Sequence, residues 1–416
     1  MPGTNHRAPQ PVMTIGLRHL RVFLAVVEHG SASRASVALL RAQSAITRSV
    51  LALERELGVP LFERRSQGML MTRYGEALLR RARRASDELD NARRELARAP
   101  GSAARLRAAP VFSMQVGEQR LRAFVALTEL HHMPTVAGQL GVTQPAVSAT
   151  LRELEASLGL LLFDRSPKGM LPTGHGEILA LHVKRALAEL RHASDEIASL
   201  RGTTTGTVAV GALPLGRTLI LPRAIARVVS RHPGLRVETV EGPFASLAAA
   251  LRSGDVDFIL GALRPPDYAT DLVGETLLSE ELAIVARADH PHFRGAPATL
   301  RTVARGAWVL PRRGTPTRDL VEALFARHRI SAPDVRVETS DLAVLRGVLL
   351  ESDLVTAISA RQLDHEFRTG LLKALPIALP ETSRQIGITL RSASVASPGS
   401  QLLMDEIRAV AADLVR

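Results

Sequence analysis

The sequence predicts a multidomain chain: two all-α heads, each with a long linker helix, and then a two-lobed α/β half. Three observations predict it. The first is a repeat. At a shift of 101 positions, Gln43 falls on Gln144, Ala45 on Ala146, Leu53 on Leu154, Glu54 on Glu155 and Gly58 on Gly159. Leu20, Arg21 and Phe23 likewise match Leu121, Arg122 and Phe124. Downstream, Leu61, Phe62 and Arg64 match Leu162, Phe163 and Arg165, and Thr72, Gly75 and Glu76 match Thr173, Gly176 and Glu177. No gap is needed, so the unit is duplicated. The second observation is helical spacing: Val147, Leu151, Leu154 and Leu158 make one apolar stripe, and Ile46, Val50, Leu53 and Leu57 repeat it. The third is a change beyond Gly202–Gly206, where helical spacing gives way to alternating strands and helices.

Composition bounds what such a chain does. Apolar residues are 46% of 416, enough for real cores, but aromatics are only 3%, so Leu, Val, Ala and Ile must fill them. The absence of cysteine excludes disulfides, thiolate metal sites and a thiol redox switch. The formal charge is +12, and residues 1–110 hold 19 arginines against 9 acids. A localised excess favours a polyanion partner; an arginine-rich solvated surface is the plainer alternative. Residues 1–16 read as a disordered start without the apolar core of a signal peptide. No apolar run reaches the roughly 18 residues of a membrane span, so no membrane partner is expected and the chain reads as cytoplasmic.

In the first copy, Leu17 to Glu28 reads as a helix with Leu20, Phe23, Leu24 and Val27 inward, and Ser33 to Leu40 as the second helix. In the second copy, Thr143 to Gly159 reads as a short helix shaped for a DNA groove. Thr143 caps it, Pro145 sits in the first turn, and Gly159 ends it. Gln144, Ser148 and Thr150 are expected to face away from the stripe, as small polar groups that approach base edges closely. The first copy begins at Gln43, with Ala42 in place of the capping Thr, a loss of about 1 kcal/mol. Ser44 replaces Pro145, Thr47 stands for Ser148, and Arg48 adds a phosphate or guanine contact. The first copy reads as a DNA binder of different preference, or as a decayed copy kept for packing.

Taken with their flanks, the copies carry TQPAVS, LRELEASLG, LFDR, KGM and TGHG in the second, and AQSAIT, LERELG, LFER, QGM and TRYG in the first. Each resembles the winged helix-turn-helix head of LysR-type bacterial transcription regulators, and residues 207–416 resemble that family's effector-binding half. The family normally has one head. The resemblance implies that wing residues Arg64, Arg65 and Arg73 in copy one, and Arg165 and Lys168 in copy two, contact the minor groove or backbone. Such contacts position a protein without reading sequence. The Leu-Phe pairs at 61–62 and 162–163 read as core anchors.

Each wing runs into a long helix. Ala82, Ala85, Leu89, Ala92 and Leu96 space at three and four, and Val183, Ala186, Leu190, Ala193 and Ile197 repeat them. That period argues for pairing with another helix. By resemblance, the partner is a second chain; alanines thin the first seam, so the second helix is expected to make the dimer, and the alternative, chiefly for the first, is a helix packed on its own head. The domain plan is therefore a disordered start (1–16), a winged helix-turn-helix (17–75), linker helix 1 (76–98), a tether (99–117), a second winged helix-turn-helix (118–173), dimerising linker helix 2 (174–201) and an effector-binding domain (207–416).

Within 207–416, strands are expected at 207–213, 235–242 and 255–263, with helices between, in the order of a parallel sheet. A crossover strand at 281–287 leads to strands at 307–311, 335–339 and 354–359 with helices from Thr317 and Leu342, and 386–390 crosses back to a closing helix at 401–414. Lobe I would hold 207–281 and 391–416, and lobe II 282–390. The two lobes resemble the type II periplasmic-binding-protein fold. A ligand would sit between them, at strand ends, against Pro214, Leu215, Thr218, Leu263, Arg264, Arg312, Gly314, Thr315, Ser340 and Ser359. Thr315, Thr317 and Ser340 are placed at helix N-termini, where backbone N–H groups suit an anion or where they are ordinary caps.

Catalytic signals are poor. The only lysines are Lys168, Lys184 and Lys373, none after a glycine-rich loop, and neither HExxH nor GxSxG occurs. His131-His132 and His290-x-His292 abut turns and read as surface histidines. No enzyme activity, metal or cofactor is implied. The expectation is a sequence-specific regulator on double-stranded promoter DNA, acting with RNA polymerase as a homodimer or homotetramer, and controlled by a small-molecule effector, an anion or a sugar-like metabolite. The alternatives are an architectural DNA binder without an effector and an enzyme carrying a DNA-binding head.

Overall fold

The computed structural model describes residues 15–65, 68–98, 103–167, 169–265, 267–294 and 297–415. Two compact units divide near Gly206. In the first, three helices, a hairpin and a long helix occur twice. Copy one is α1 (Leu17–His29), α2 (Ala32–Ala38), α3 (Gln43–Leu57), β1 (Phe62–Arg65), β2 (Gly68–Met71) and α4 (Arg73–Leu96). A short helix α5 (Ala103–Ala108) follows. Copy two is α6 (Glu118–Leu130), α7 (Met133–Leu140), α8 (Gln144–Leu158), β3 (Phe163–Ser166), β4 (Gly169–Pro172) and α9 (Gly174–Leu200).

The predicted stripes are buried. Ile46, Leu53 and Leu57 are 0% exposed, and Val147, Leu151, Leu154 and Leu158 are all buried. The Leu-Phe anchors stack onto the first helices, Phe23 on Phe62 at 5.5 Å and Phe124 on Phe163 at 5.8 Å. Several expectations are corrected. In α1, Leu24 and Val27 are only partly buried, whereas Val22, Ala25 and Val26 are fully so. Helix α2 starts earlier because the Ser31 hydroxyl accepts from the Arg34 N–H at 3.2 Å, and it ends at Ala38. Ile15, placed in a disordered start, is core; residues 1–14 lie outside the described residues. The tether is not free: Leu106, Ala109, Val111, Phe112 and Met114 are buried, since that stretch carries its own apolar side chains. Its residues 99–102 lie outside the described residues.

The linker helices pair with each other. Every seam residue predicted in α4 and α9 is buried, in one core continuous with both copies. The seam of α9, expected to meet a second chain, meets α4 of the same chain. Arg73, expected on the wing, opens α4 instead, with its guanidinium on the Leu200 carbonyl at 3.1 Å.

The second unit begins with β5 (Gly206–Ala212), α10 (Pro214–Thr218), α11 (Ile220–Arg231), β6 (Leu235–Glu241), α12 (Phe244–Ser253), β7 (Phe258–Ala262), β8 (Leu272–Glu280) and β9 (Leu282–Arg287). It continues through α13 (Leu300–Val303), β10 (Ala307–Leu310), α14 (Pro316–Arg327), β11 (Asp334–Glu338), α15 (Leu342–Glu351), β12 (Thr356–Ser359), α16 (Asp364–Arg368), β13 (Leu372–Ala374), β14 (Arg384–Arg391) and α17 (Pro398–Val415). One sheet has the order β6-β5-β7-β14-β8; β12-β9-β13 and β10-β11 build the other body. The first sheet is mixed, with β5 and β7 parallel and β14 antiparallel to both β7 and β8. Strand β14, expected to belong with 282–390, instead lies in the first sheet, between β7 and β8. Strand β8 was not foreseen.

Candidate nucleic-acid interface

Two glutamates fix each hairpin to its third helix. Glu54 Oε1 accepts from the Leu61 N–H at 2.7 Å, and Glu155 Oε1 from the Leu162 N–H at 2.8 Å. The threonines before the long helices close the other side. Thr72 donates to the Pro60 carbonyl at 2.7 Å and Thr173 to the Leu161 carbonyl at 2.8 Å. Each hydroxyl also caps its helix, accepting from Gly75 or Gly176 N–H at 3.2 Å. A Cβ on Gly75 would meet the Leu61 carbonyl oxygen at 2.3 Å, and one on Gly176 the Leu162 oxygen at 2.1 Å. The repeated Glu and Thr-x-x-Gly are thus the fasteners that aim helix and hairpin together; the repeat flagged them without showing their role.

This frame presents the N-terminal faces of α3 and α8. Gln43, Ser44 and Arg48 are exposed on α3, and Thr47 is half-buried with its hydroxyl on the Gln43 carbonyl at 3.1 Å. Thr143, Gln144 and Pro145 are exposed on α8, and Ser148 is half-buried. The Thr143 hydroxyl caps α8 through the Ala146 N–H at 3.4 Å, whereas Ala42 makes no such bond. Thr150 corrects the sequence reading. It is 8% exposed, because it stands three residues after Val147 and four before Leu154, on the inward stripe. Arg165 is exposed on β3. The side chains of Arg64 and Arg65, and all of Lys168, lie outside the described residues.

In the second unit the expected effector residues do not converge. Leu263 and Arg264 line a cavity of about 280 Å³ with Phe244, Tyr268, Thr276 and Gln385. The Arg264 guanidinium lies 4.3 Å from the Phe244 ring centre, and burial pushes its pKa down. Pro214, Leu215 and Thr218 make helix α10, with Leu215 buried and the Thr218 hydroxyl on the Leu215 carbonyl at 3.3 Å. Arg312 and Gly314 are exposed, and the Thr315 hydroxyl turns back to the Arg312 carbonyl at 2.8 Å. Ser340 is exposed beside Asp341, whose carboxylate already caps α15 through the Val344 N–H at 2.9 Å. That carboxylate takes the place expected for an anion.

Ser359, fully buried at the end of β12, belongs to a polar cluster that sequence reasoning missed. Its members are Glu280, Arg361, Arg384 and Thr317. Arg384 Nη1 donates to Thr317 Oγ1 at 2.8 Å, and Arg361 Nε lies 3.3 Å from Glu280 Oε1. Burial pushes the Glu280 carboxyl up, against the opposing pulls of Ser359, Arg361 and Arg384, and pushes the Arg384 guanidinium down. Arg384 Nε and Thr356 Oγ1 are buried without a hydrogen-bond partner among the described residues. The signal in the sequence is faint: a glutamate closing β8, which the sequence does not mark as a strand, and an arginine opening β14.

Of the paired histidines, His132 is exposed as expected, and His131 and His292 are half-buried. His290 is buried, not on the surface, with Nε2 at 3.0 Å from the Asp353 carbonyl and Nδ1 accepting from the His292 N–H. No cluster suited to a metal ion, and no helix long and apolar enough to cross a membrane, occurs among the described residues.

Comparison with known proteins agrees with the repeated frame. The model of the bacterial regulatory helix-turn-helix protein, lysR family, matches at residues 17–76 and again at 119–177, and that of the LysR substrate binding domain at 201–412. The transcriptional regulator GalR of Pseudomonas putida is 48% identical over 394 residues, covering 95% of this chain and 97% of that protein. PcaQ of Agrobacterium fabrum is 31% identical over 296 residues, 95% of its own length but 71% of this chain. A full-length OxyR variant from Pseudomonas aeruginosa has a TM-score of 0.53 at 24% identity, covering 70% of this chain and 95% of that one. CbnR complexed with its target DNA has a TM-score of 0.52 at 19% identity, covering 71% and 100%; both are likenesses of fold. A substrate-binding match spanning half the chain, and a relative nearly half identical along almost its entire length, place this protein in the LysR family of transcriptional regulators, whose matched relatives are DNA-binding regulators and not enzymes.

Proposed function

We propose that this regulator reads promoter DNA with two winged helix-turn-helix heads in tandem, and that a small molecule held between two α/β lobes controls it. The observation that carries the reading is the shared frame: both third helices are fastened by the same Glu, Thr and Gly, and both turn small polar side chains outward at their N-termini. Gln144→Ala with Ser148→Ala is expected to relax sequence preference by about 1–3 kcal/mol for each base pairing removed, while leaving salt-dependent binding largely intact. Unchanged preference in a binding-site selection would misassign α8.

For the effector, the polar cluster of Glu280, Ser359, Arg384 and Thr317 supports a ligand carrying both hydroxyl donors and an acceptor oxygen, such as a hydroxylated acid. A bare anion would face the Glu280 carboxylate. Its effect on DNA binding would come only from different affinities for the regulator's states. Thermal-shift screening with hydroxy acids, sugars and amino acids tests this. No stabilisation by any of them favours an architectural DNA binder without an effector.

A further inference from the structure

The pairing of α4 with α9 obeys a symmetry that the two copies impose on each other. Arg81 bonds Glu189 at 3.0 Å and Glu196 at 2.9 Å. The copy of Arg81 is His182, and the residues whose copies are Glu189 and Glu196 are Glu88 and Glu95. His182 bonds Glu88 at 2.7 Å and Glu95 at 3.2 Å. Arg84 meets Glu189 at 2.7 Å, and its copy Arg185 meets Glu88 at 3.5 Å. These three pairs of contacts are exchanged mates, the signature of an isologous two-fold interface, while Arg80, whose copy is Leu181, adds an unmatched contact to Glu196. Both sides here come from one polypeptide. The helices run antiparallel, since Arg73 reaches Leu200 while Glu95 reaches His182. Leu89 and Val183 are 0% exposed, so the seam is closed.

We infer that one chain is its own reading dimer, and that its partner is a single duplex site made of two unlike halves in fixed order. The inference rests on the assignment of both heads as DNA readers. Two identical chains related by a two-fold axis present the same helix twice and read a palindrome. Here the two helices differ near their exposed N-termini: exposed Ser44 stands where α8 has exposed Pro145, and exposed Arg48 where α8 has the half-buried Ala149. The pseudo-symmetry keeps the geometry of a dimer and discards its sequence symmetry.

The sequence has no cysteine, so Arg80→Cys with Glu196→Cys introduces the only two thiols, at two facing positions whose present side-chain tips, Arg80 Nη2 and Glu196 Oε1, meet at 2.6 Å across the helices. A short bis-maleimide is expected to yield a product that still migrates as one chain under denaturing conditions. A product of doubled mass overturns the inference. In parallel, the full chain selects from a random duplex pool. The expected motif has two halves that are not reverse complements. Gln43→Ala with Arg48→Ala should erase information in one half only, and Gln144→Ala with Ser148→Ala in the other only. A palindrome whose halves both respond to the same substitutions overturns the inference and leaves DNA reading intact. Failure to enrich any motif removes the DNA-reading assignment and the inference with it.

Discussion

Gly176 shows how a single hydrogen in place of a side chain sets the aim of a head. Its Cα lies against the Leu162 carbonyl, and an added Cβ would come to 2.1 Å of that oxygen. Gly176→Ala is therefore expected to lower stability by about 1–3 kcal/mol, as overpacking does, read in denaturant melts. Ala42→Thr should act oppositely, restoring the missing cap of α3 and gaining about 1 kcal/mol. Glu280 carries a pH signature. Burial raises its pKa in the folded state, so between the ordinary carboxylate range and that raised value the folded chain holds a proton the unfolded chain has lost. Stability through this group is present at low pH and lost as pH rises through that window. Glu280→Gln should flatten that slope and raise the melting temperature at neutral pH, while abolishing stabilisation by any effector. An unchanged slope would show that Glu280 ionises freely.

At the scale of elements, the seams of α4 and α9 were legible and their partner was not. Spacings of three and four say that Ala82, Ala85 and Leu89 face another helix, but the same spacing suits a helix of another chain. The partner shows in Arg81, Glu88 and Glu95 and their copies, at intervals of seven, which an antiparallel pairing of α4 with α9 brings together. Arg81→Ala tests the pair. It should cost about 3 kcal/mol, the low end for breaking a buried ion pair, because Arg80 and Arg84 still reach Glu196 and Glu189. Strand β8 escaped notice for a different reason. Of LVGETLLSE only Leu278 and Glu280 are buried, so the apolar alternation that marks a half-buried strand is missing. Without β8 the sequence offers β14 no neighbour, so nothing in it places β14 in the first sheet. The polar cluster at the ends of β8, β12 and β14 was hidden by the same gap. Thr150 was misplaced by treating a small polar residue as outward without counting its spacing.

At the scale of the molecule, the repeat supplies two copies of one frame, and the paired long helices hold them in a single core. The excess of arginine over acid in residues 1–110 falls on the first copy and the stretch that follows it, and the proposed function makes that copy a DNA reader. Stripping its basic side chains should flatten the salt dependence of binding, by about 0.9 in the logarithmic slope for each phosphate no longer neutralised. An unchanged slope would make the first head a passenger. The most direct measurement places a cutting group on each head in turn. Ser33→Cys and Pro134→Cys put one thiol at equivalent positions on α2 and α7 of a cysteine-free chain. An iron chelate attached there cleaves nearby DNA in a selected duplex. Two unlike heads joined in one chain predict cleavage at opposite halves of the site, one half for each label. Cleavage of both halves by the same label, or none from the first head, would contradict them.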